Sequence, residues 1–434
     1  MLQRLMSRRS FLLGIVGVVV STMLTLWGCG GGGGTSSYSQ SVTTTSAPAI
    51  IDAVTLKKWI DEGKLNAPFG TKDRVVVVSP STTADWTNKG HIPGAVRWDT
   101  TEFAMKRVEG LAAADNMMPT GSMMDSIIQR LGIDSNTTIV VSLPKDSTLY
   151  YQSLVYWDLR YWGFARNRIK ILNAGDDAWE VAGYSLSQDA TDKYTASTYS
   201  VAQNGTLKDV VRYSIGEMIG TIDSLIATPT LKSTWQMIDV RPSATTTNYI
   251  TNALQMSAYT QFFTRLDAGD GVTRNYMYPD KATLESRFAA SAVKDGSTTA
   301  FISATKKTVV MCTASSSASP SFVLFDAVLA VPEGNIMMYD GSASQWNVYS
   351  TALLTAAYPN ATADQRKAWA FDNSTNPRAQ GTMTSTDYSL FSVAPVVGPA
   401  DVNMNQIETA DKAYMNSSTS SSTTSSSGSA PSGC

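Results

Sequence analysis

The residue best placed to do chemistry in this chain is Cys312. It closes the run Thr308-Val309-Val310-Met311-Cys312 and precedes Thr313-Ala314-Ser315-Ser316-Ser317-Ala318-Ser319 and Pro320. The first run is apolar and β-branched, which predicts a short buried strand. The residues that follow are small and leave room for a tight loop. Ser319 and Pro320 suit the N-cap and first position of a helix. Phe322, Leu324, Phe325, Val328 and Leu329 recur at helical spacing, predicting one helix through Val331. A thiol is thus expected where a strand ends and a helix begins. Loop N–H groups and the helix N-terminus would converge on its sulfur and favour the thiolate, which is the nucleophile. The alternative is a buried structural cysteine, since free Cys packs as a small hydrophobe.

The other reactive residue types are scarce. The 434 residues hold three cysteines (Cys29, Cys312 and Cys434) and one histidine, His91. That is too few for a metal site, and no cofactor is called for. Cys434 ends a Ser/Thr/Gly tail that cannot build a core. The charged fraction is 16% and the net charge −2, with no basic patch interleaved with aromatics, so nucleic acid is an unlikely partner class.

The amino terminus reads as a targeting segment. Arg4, Arg8 and Arg9 precede an uncharged apolar stretch, Phe11–Trp27, which is short for a membrane span of ~20 residues. Leu26-Trp27-Gly28-Cys29 looks like a bacterial lipobox, with Cys29 the lipidated residue. Ser7-Arg8-Arg9-Ser10-Phe11-Leu12 resembles a twin-arginine export signal. The expected location is the cell envelope, at its periplasmic face or outer membrane, held by a lipid anchor. Residues 30–47 form a Gly/Ser/Thr tether.

Two copies of one α/β unit are expected to position Cys312. In the first, Arg74–Ser79 is a Val-rich strand of the kind buried on both sides in a parallel sheet. The loop Gly90-His91-Ile92-Pro93-Gly94-Ala95-Val96 follows. Then come a helix near Gly121–Leu131, the strand Thr138–Val141, a polar loop, the aromatic helix Leu149–Trp162 and the strand Ile169–Leu172. In the second, the helix Ile215–Ala227, the strand Gln236–Val240, the helix Thr283–Ala290, the strand ending at Cys312 and Met337-Met338-Tyr339-Asp340-Gly341 repeat the order. In this register Ser142 occupies the position of Cys312. The expected divisions are a leader (1–29), the tether, a first unit (48–190), a linker (191–210), a second unit (211–357), an extension (358–415) and a disordered tail (416–434).

Five segments carry a family resemblance: Gly90–Ala95; Tyr156-Trp157-Asp158-Leu159-Arg160-Tyr161-Trp162-Gly163; Ile238-Asp239-Val240-Arg241; the Cys312 loop; and Tyr339-Asp340-Gly341-Ser342 with Trp346. On these the chain resembles the tandem-domain rhodanese sulfurtransferases, over roughly Ala49–Tyr349. The resemblance implies two doubly wound, mostly parallel domains, the first inactive and the second catalytic. It implies a small sulfur-containing anion (thiosulfate or 3-mercaptopyruvate) as donor, a thiol or cyanide as acceptor, and a persulfide on Cys312. The loop Thr313, Ala314, Ser315, Ser316 and Ser317 would serve as the anion cradle. It departs from the family's usual Gly-containing or basic interior.

Arg241 matches an arginine that binds the donor's anionic group in mercaptopyruvate-type relatives, or else pairs with Asp239. A second substrate arginine of the family has no counterpart between Ser243 and Ile250. Lys306 and Lys307 sit at the far end of the strand, ~15–20 Å from the loop, and are set aside. His91 is expected to be structural, and Arg160 a solvated or paired surface charge. Two other functions are consistent with the same residues. One is a non-enzymatic envelope accessory or binding lipoprotein with a protein partner. The other is thiol-dependent handling of selenium or tellurium oxyanions.

Overall fold

The computed structural model describes residues 48–191, 194–241, 250, 252–256, 259–295, 298–364, 366, 370–371 and 404–417. The expected leader, Cys29, the tether, and the tail from residue 418 with Cys434 lie outside the described residues.

The first half runs β1 (Ile50–Ile51), α1 (Ala53–Asp61), β2 (Val75–Ser81), α2 (Thr83–Asn88), β3 (Val96–Asp99), β4 (Met105–Glu109), β5 (Ala112–Met117), α3 (Gly121–Arg130), β6 (Thr138–Val141), α4 (Leu149–Tyr161), β7 (Ile169–Leu172) and α5 (Gly175–Val181). Five of its strands form one sheet in the order β1-β7-β6-β2-β3, and every pairing in it is parallel. The sequence reason is plain in β2: all seven residues are buried, so Val75–Val78 face helices on both sides of the sheet. Each such valine contributes ~1.5–3 kcal/mol by leaving water.

The second half repeats the plan: α6 (Ile215–Ala227), β8 (Trp235–Asp239), β9 (Ala253–Gln255), β10 (Thr264–Arg265), β11 (Tyr276–Met277), α7 (Lys281–Ala290), β12 (Ala292–Asp295), β13 (Thr298–Phe301), β14 (Lys307–Met311), α8 (Ser319–Val323), β15 (Ile336–Met338), α9 (Ser342–Trp346) and α10 (Thr351–Ala357). Its sheet is ordered β13-β12-β9-β8-β14-β15. Strands β9, β8, β14 and β15 are parallel, and β12 and β13 add an antiparallel edge. The parallel cores correspond strand for strand, with β8, β14 and β15 standing where β2, β6 and β7 stand in the first sheet.

Each half lends a short hairpin to the other. From the first half, the β4–β5 hairpin reaches the Cys312 loop, where the Ser315 hydroxyl donates to the Asn116 carbonyl at 3.2 Å. From the second, the segment around β10 and β11 reaches the first half's polar loop through Asn275. Between the halves lies α4, buried from Gln152 through Tyr161. Its Tyr156 and Trp157 share one apolar core with Val310, Cys312, Phe322 and Phe325. Buried on all sides, α4 lies inside the molecule rather than on its rim, with its polar residues met by partners such as Asp326.

Three expectations are corrected here. The predicted helix through Val331 is a short α-helix, α8, followed by a π-helical turn over Leu324–Val328. That turn carries Asp326, which accepts hydrogen bonds from the Tyr156 hydroxyl (2.7 Å), Arg160 Nε (2.9 Å) and Arg166 Nη2 (2.7 Å). Arg160 is accordingly a buried inter-half ion pair with Asp326 and Glu333, not a surface charge. Burial alone would raise the Asp326 carboxyl, yet Arg160 and Arg166 hold it below its ordinary value. Within the polar stretch 191–210, Val201 and Leu207 are buried. Finally, helix α11 (Gln406–Ser417), which the sequence did not announce, packs on the first half through Asp411 and Tyr414.

Candidate active site

Cys312 is the first residue past β14, at the end of the sheet where open α/β folds bind ligands. It is 3% exposed. On the neighbouring strand Asp239 stands opposite Met311, and the Val240 N–H donates to the Met311 carbonyl at 2.9 Å.

The loop is held from below by Ser342. Its Oγ accepts the N–H of Cys312 (3.2 Å) and of Ser315 (3.3 Å) and donates to the Tyr339 carbonyl (2.8 Å). The Cys312 and Thr313 carbonyls in turn accept from the N–H groups of Ala343 (3.0 Å) and Ser344 (2.9 Å). Ser315 adopts φ +66° and Ser342 φ +51°. Such left-handed conformations cost a non-glycine residue ~1–2 kcal/mol, so the surrounding hydrogen bonds must enforce them. With the loop wound this way, the N–H groups of Ala314, Ser317 and Ala318 turn toward the sulfur.

The electrostatic balance differs from the sequence expectation of a favoured thiolate. Burial raises the Cys312 thiol, the three amides oppose this, and the Asp239 carboxylate raises it further, so the thiol ends above its ordinary value. The sequence shows the loop amides but not the depth of burial.

Arg241 also lies at this sheet end, and its guanidinium grips Asp239. Nε is 3.0 Å from both carboxylate oxygens and Nη2 is 2.6 Å from Oδ2. Both side chains are buried. The pair with Asp239, one of the two roles open to Arg241 from sequence, is present. Lys306 donates to the Lys232 carbonyl and Lys307 lies over the Trp235 ring, both at the opposite end of β14.

Behind Ser342 is a network without a signal in a single sequence. Arg212 makes a bidentate pair with Glu109 (3.0 and 2.9 Å) and bonds Asp340 through Nε at 2.9 Å. All three side chains are fully buried. Asp340 also accepts the Gly341 N–H and the Met118 N–H of the first half. Tyr259, half-buried, is a further neighbour that sequence reading missed: burial raises its phenol, as do Tyr276, Cys312 and Tyr150.

The corresponding place in the first half holds different chemistry. The Ser142 hydroxyl donates to Asp176 Oδ1 at 2.5 Å, and both residues are fully buried. Burial pushes Asp176 up to about 7. Asn275 closes the adjoining loop, accepting from the Ser147 N–H (2.7 Å) and donating to the carbonyls of Pro144 (2.9 Å) and Ala174 (3.2 Å). His91 stacks on Trp86 with ring centroids 3.5 Å apart and is buried. A cleft of about 720 Å³ opens on this half beside Lys89, Lys145 and Glu180, with no residue of the Cys312 loop in its lining.

No family model matches the chain, and no curated protein matches it. Among solved structures it is similar to an EanB variant in complex with ergothioneine, at 15% identity, covering 77% of this chain and 71% of that one with a TM-score of 0.50. The same values hold for an EanB variant with ergothioneine covalently linked with a persulfide cysteine. It is also similar to SseA from Escherichia coli, a 3-mercaptopyruvate sulfotransferase of the "rhodanese" fold, at 20% identity, covering 68% of this chain and 99% of that one with a TM-score of 0.47. Identities this low speak to fold alone, and the EanB structures share the α/β arrangement described above.

Proposed function

We propose that the protein is a sulfurtransferase that carries sulfane sulfur as a persulfide on Cys312. The observation that supports this most is the seat of Cys312 just past β14, in a loop whose entry Ser342 fixes through the N–H groups of Cys312 (3.2 Å) and Ser315 (3.3 Å), so that further loop amides act on the sulfur. Such donors stabilise anionic sulfur both in the thiolate and after it has gained a second sulfur. In the first step the thiolate attacks the outer sulfur of a donor R–S–SH. The donor's S–S bond breaks, a new S–S bond forms to Cys312, and the electron pair leaves on R–S⁻. A thiophilic acceptor, a thiolate or cyanide, then attacks the outer sulfur and returns Cys312 to the thiolate. No external oxidant enters. Ser142 supplies no comparable nucleophile, so the first half acts as scaffold. EanB, which shares the fold, has been seen with a persulfide-linked ligand, and that chemistry carries over to this chain as part of the proposal. The proposal includes a location in the cell envelope through a lipidated Cys29, a reading supported by the amino-terminal sequence alone.

The test is peptide-mapping mass spectrometry of the full-length protein after mixing, in turn, with an alkyl persulfide, thiosulfate and 3-mercaptopyruvate. The Cys312 peptide should gain the mass of one sulfur with at least one donor and lose it on adding cyanide. The Cys312→Ser protein should gain none. A folded protein whose Cys312 alkylates but never takes sulfur would instead favour the accessory-protein reading.

A further inference from the structure

The charges around Cys312 narrow the donor. The cation at the same sheet end, Arg241, is held in place by Asp239 through three contacts of 3.0 Å or less. The cation behind the loop, Arg212, is held by Glu109 and Asp340. Thr313–Ser319 carry no charge. Loop amides are committed as well: those of Cys312 and Ser315 to Ser342, that of Ser316 to the Ala314 carbonyl (2.8 Å) and that of Ala318 to the Ser315 carbonyl (3.0 Å), while those of Ala314 and Ser317 act on the sulfur itself. The hydroxyls of Ser315, Ser316 and Ser319 are taken up by carbonyl acceptors, Ser315 by Ala314 (2.6 Å) and Asn116 (3.2 Å), Ser316 by Ala314 (3.4 Å), and Ser319 by Ser316 (2.8 Å) and Tyr150 (3.4 Å). Asp239 adds a negative field at the thiol. An oxyanion donor entering here would leave water for a site whose cations are already neutralised, which is costly for a buried charge.

We propose that the Cys312 site takes sulfur from donors R–S–SH whose tail R is uncharged or cationic, the class of alkyl persulfides with a neutral or amine-bearing tail, and discriminates against oxyanions such as thiosulfate. The inference rests on the Cys312 persulfide reading. The transfer balances as above: the S–S bond of R–S–SH breaks, the outer sulfur joins Cys312, and R–S⁻ leaves with the electron pair. The resemblance in sequence points to an anionic donor; the arrangement of Arg241 and Asp239 points the other way.

The experiment compares sulfur loading of Cys312 in the full-length protein from 2-aminoethyl persulfide, glutathione persulfide and thiosulfate. Each rate is divided by that of the same donor with a small free thiol, which removes intrinsic reactivity. The aminoethyl donor should load about tenfold faster than glutathione persulfide, and more than that over thiosulfate. The Thr313→Arg variant adds a cation at an exposed position beside the sulfur. It should raise thiosulfate loading and compress the preference. Thiosulfate loading the native protein as fast as the aminoethyl donor overturns the inference and leaves the persulfide reading intact. If no donor loads a Cys312 that still alkylates, the persulfide reading itself falls.

Discussion

At the scale of single residues, Cys312 chemistry depends on groups that flank it rather than on the thiol alone. Ser342 is the clearest case, since one hydroxyl fixes two N–H groups at the loop's entry. Ser342→Ala should slow sulfur loading by about ten- to a hundredfold and cost ~1–3 kcal/mol of stability. Single-turnover loading and denaturant titration measure the two effects separately. Because burial holds the Cys312 thiol above its ordinary value, alkylation of Cys312 should keep accelerating as pH rises past the usual thiol range; a plateau near neutrality would contradict that. Asp176 offers a second pH test. Its carboxyl titrates at about 7 in the folded chain, above the unfolded value. The folded state therefore binds more protons, and stability falls as pH climbs from the ordinary carboxyl range to about 7, then levels off. Asp176→Asn should remove that slope, gaining on the order of 2–3 kcal/mol relative to the native protein between pH 5 and 8, as read by chemical denaturation at both pH values.

At the scale of elements, the strands were legible because their cause is local. Four consecutive valines in β2 and the β-branched run of β14 announce buried parallel strands. The cysteine's place at a strand end follows from that. The hairpin β4–β5 and helix α11 were not legible, because long-range partners hold them in place. In α11, Asp411 accepts both Arg107 nitrogens (2.9 and 2.8 Å) and the Tyr161 hydroxyl (2.9 Å). The partners lie some three hundred residues apart in the chain, beyond any periodicity argument. Asp411→Ala would leave Arg107 largely buried and unpaired, so a loss of ~3–5 kcal/mol is expected. A lowered thermal midpoint checks it. The same reasoning explains why Arg160 misled: its helix looks like one with a polar face until Asp326 arrives from the other half.

At the scale of the whole molecule, the two halves are one device in which only the second carries a thiol. Each half closes the other's loop, but the two closures differ. Asn275 fills its place with three side-chain hydrogen bonds, whereas Asn116, near the end of β5, offers Ser315 only a carbonyl. Asn275→Ala should cost ~2–3 kcal/mol and speed hydrogen exchange at Ser147 while leaving Cys312 alkylation unchanged. The most direct test of the account follows the sulfur itself. The protein is loaded from an alkyl persulfide carrying an isotopically labelled outer sulfur, freed of donor, and mixed with a thiol acceptor. The account predicts that the label leaves the Cys312 peptide and appears on the acceptor one for one. Equal acceptor labelling by the Cys312→Ser protein, or a label that stays on Cys312 while acceptor is in excess, would contradict it.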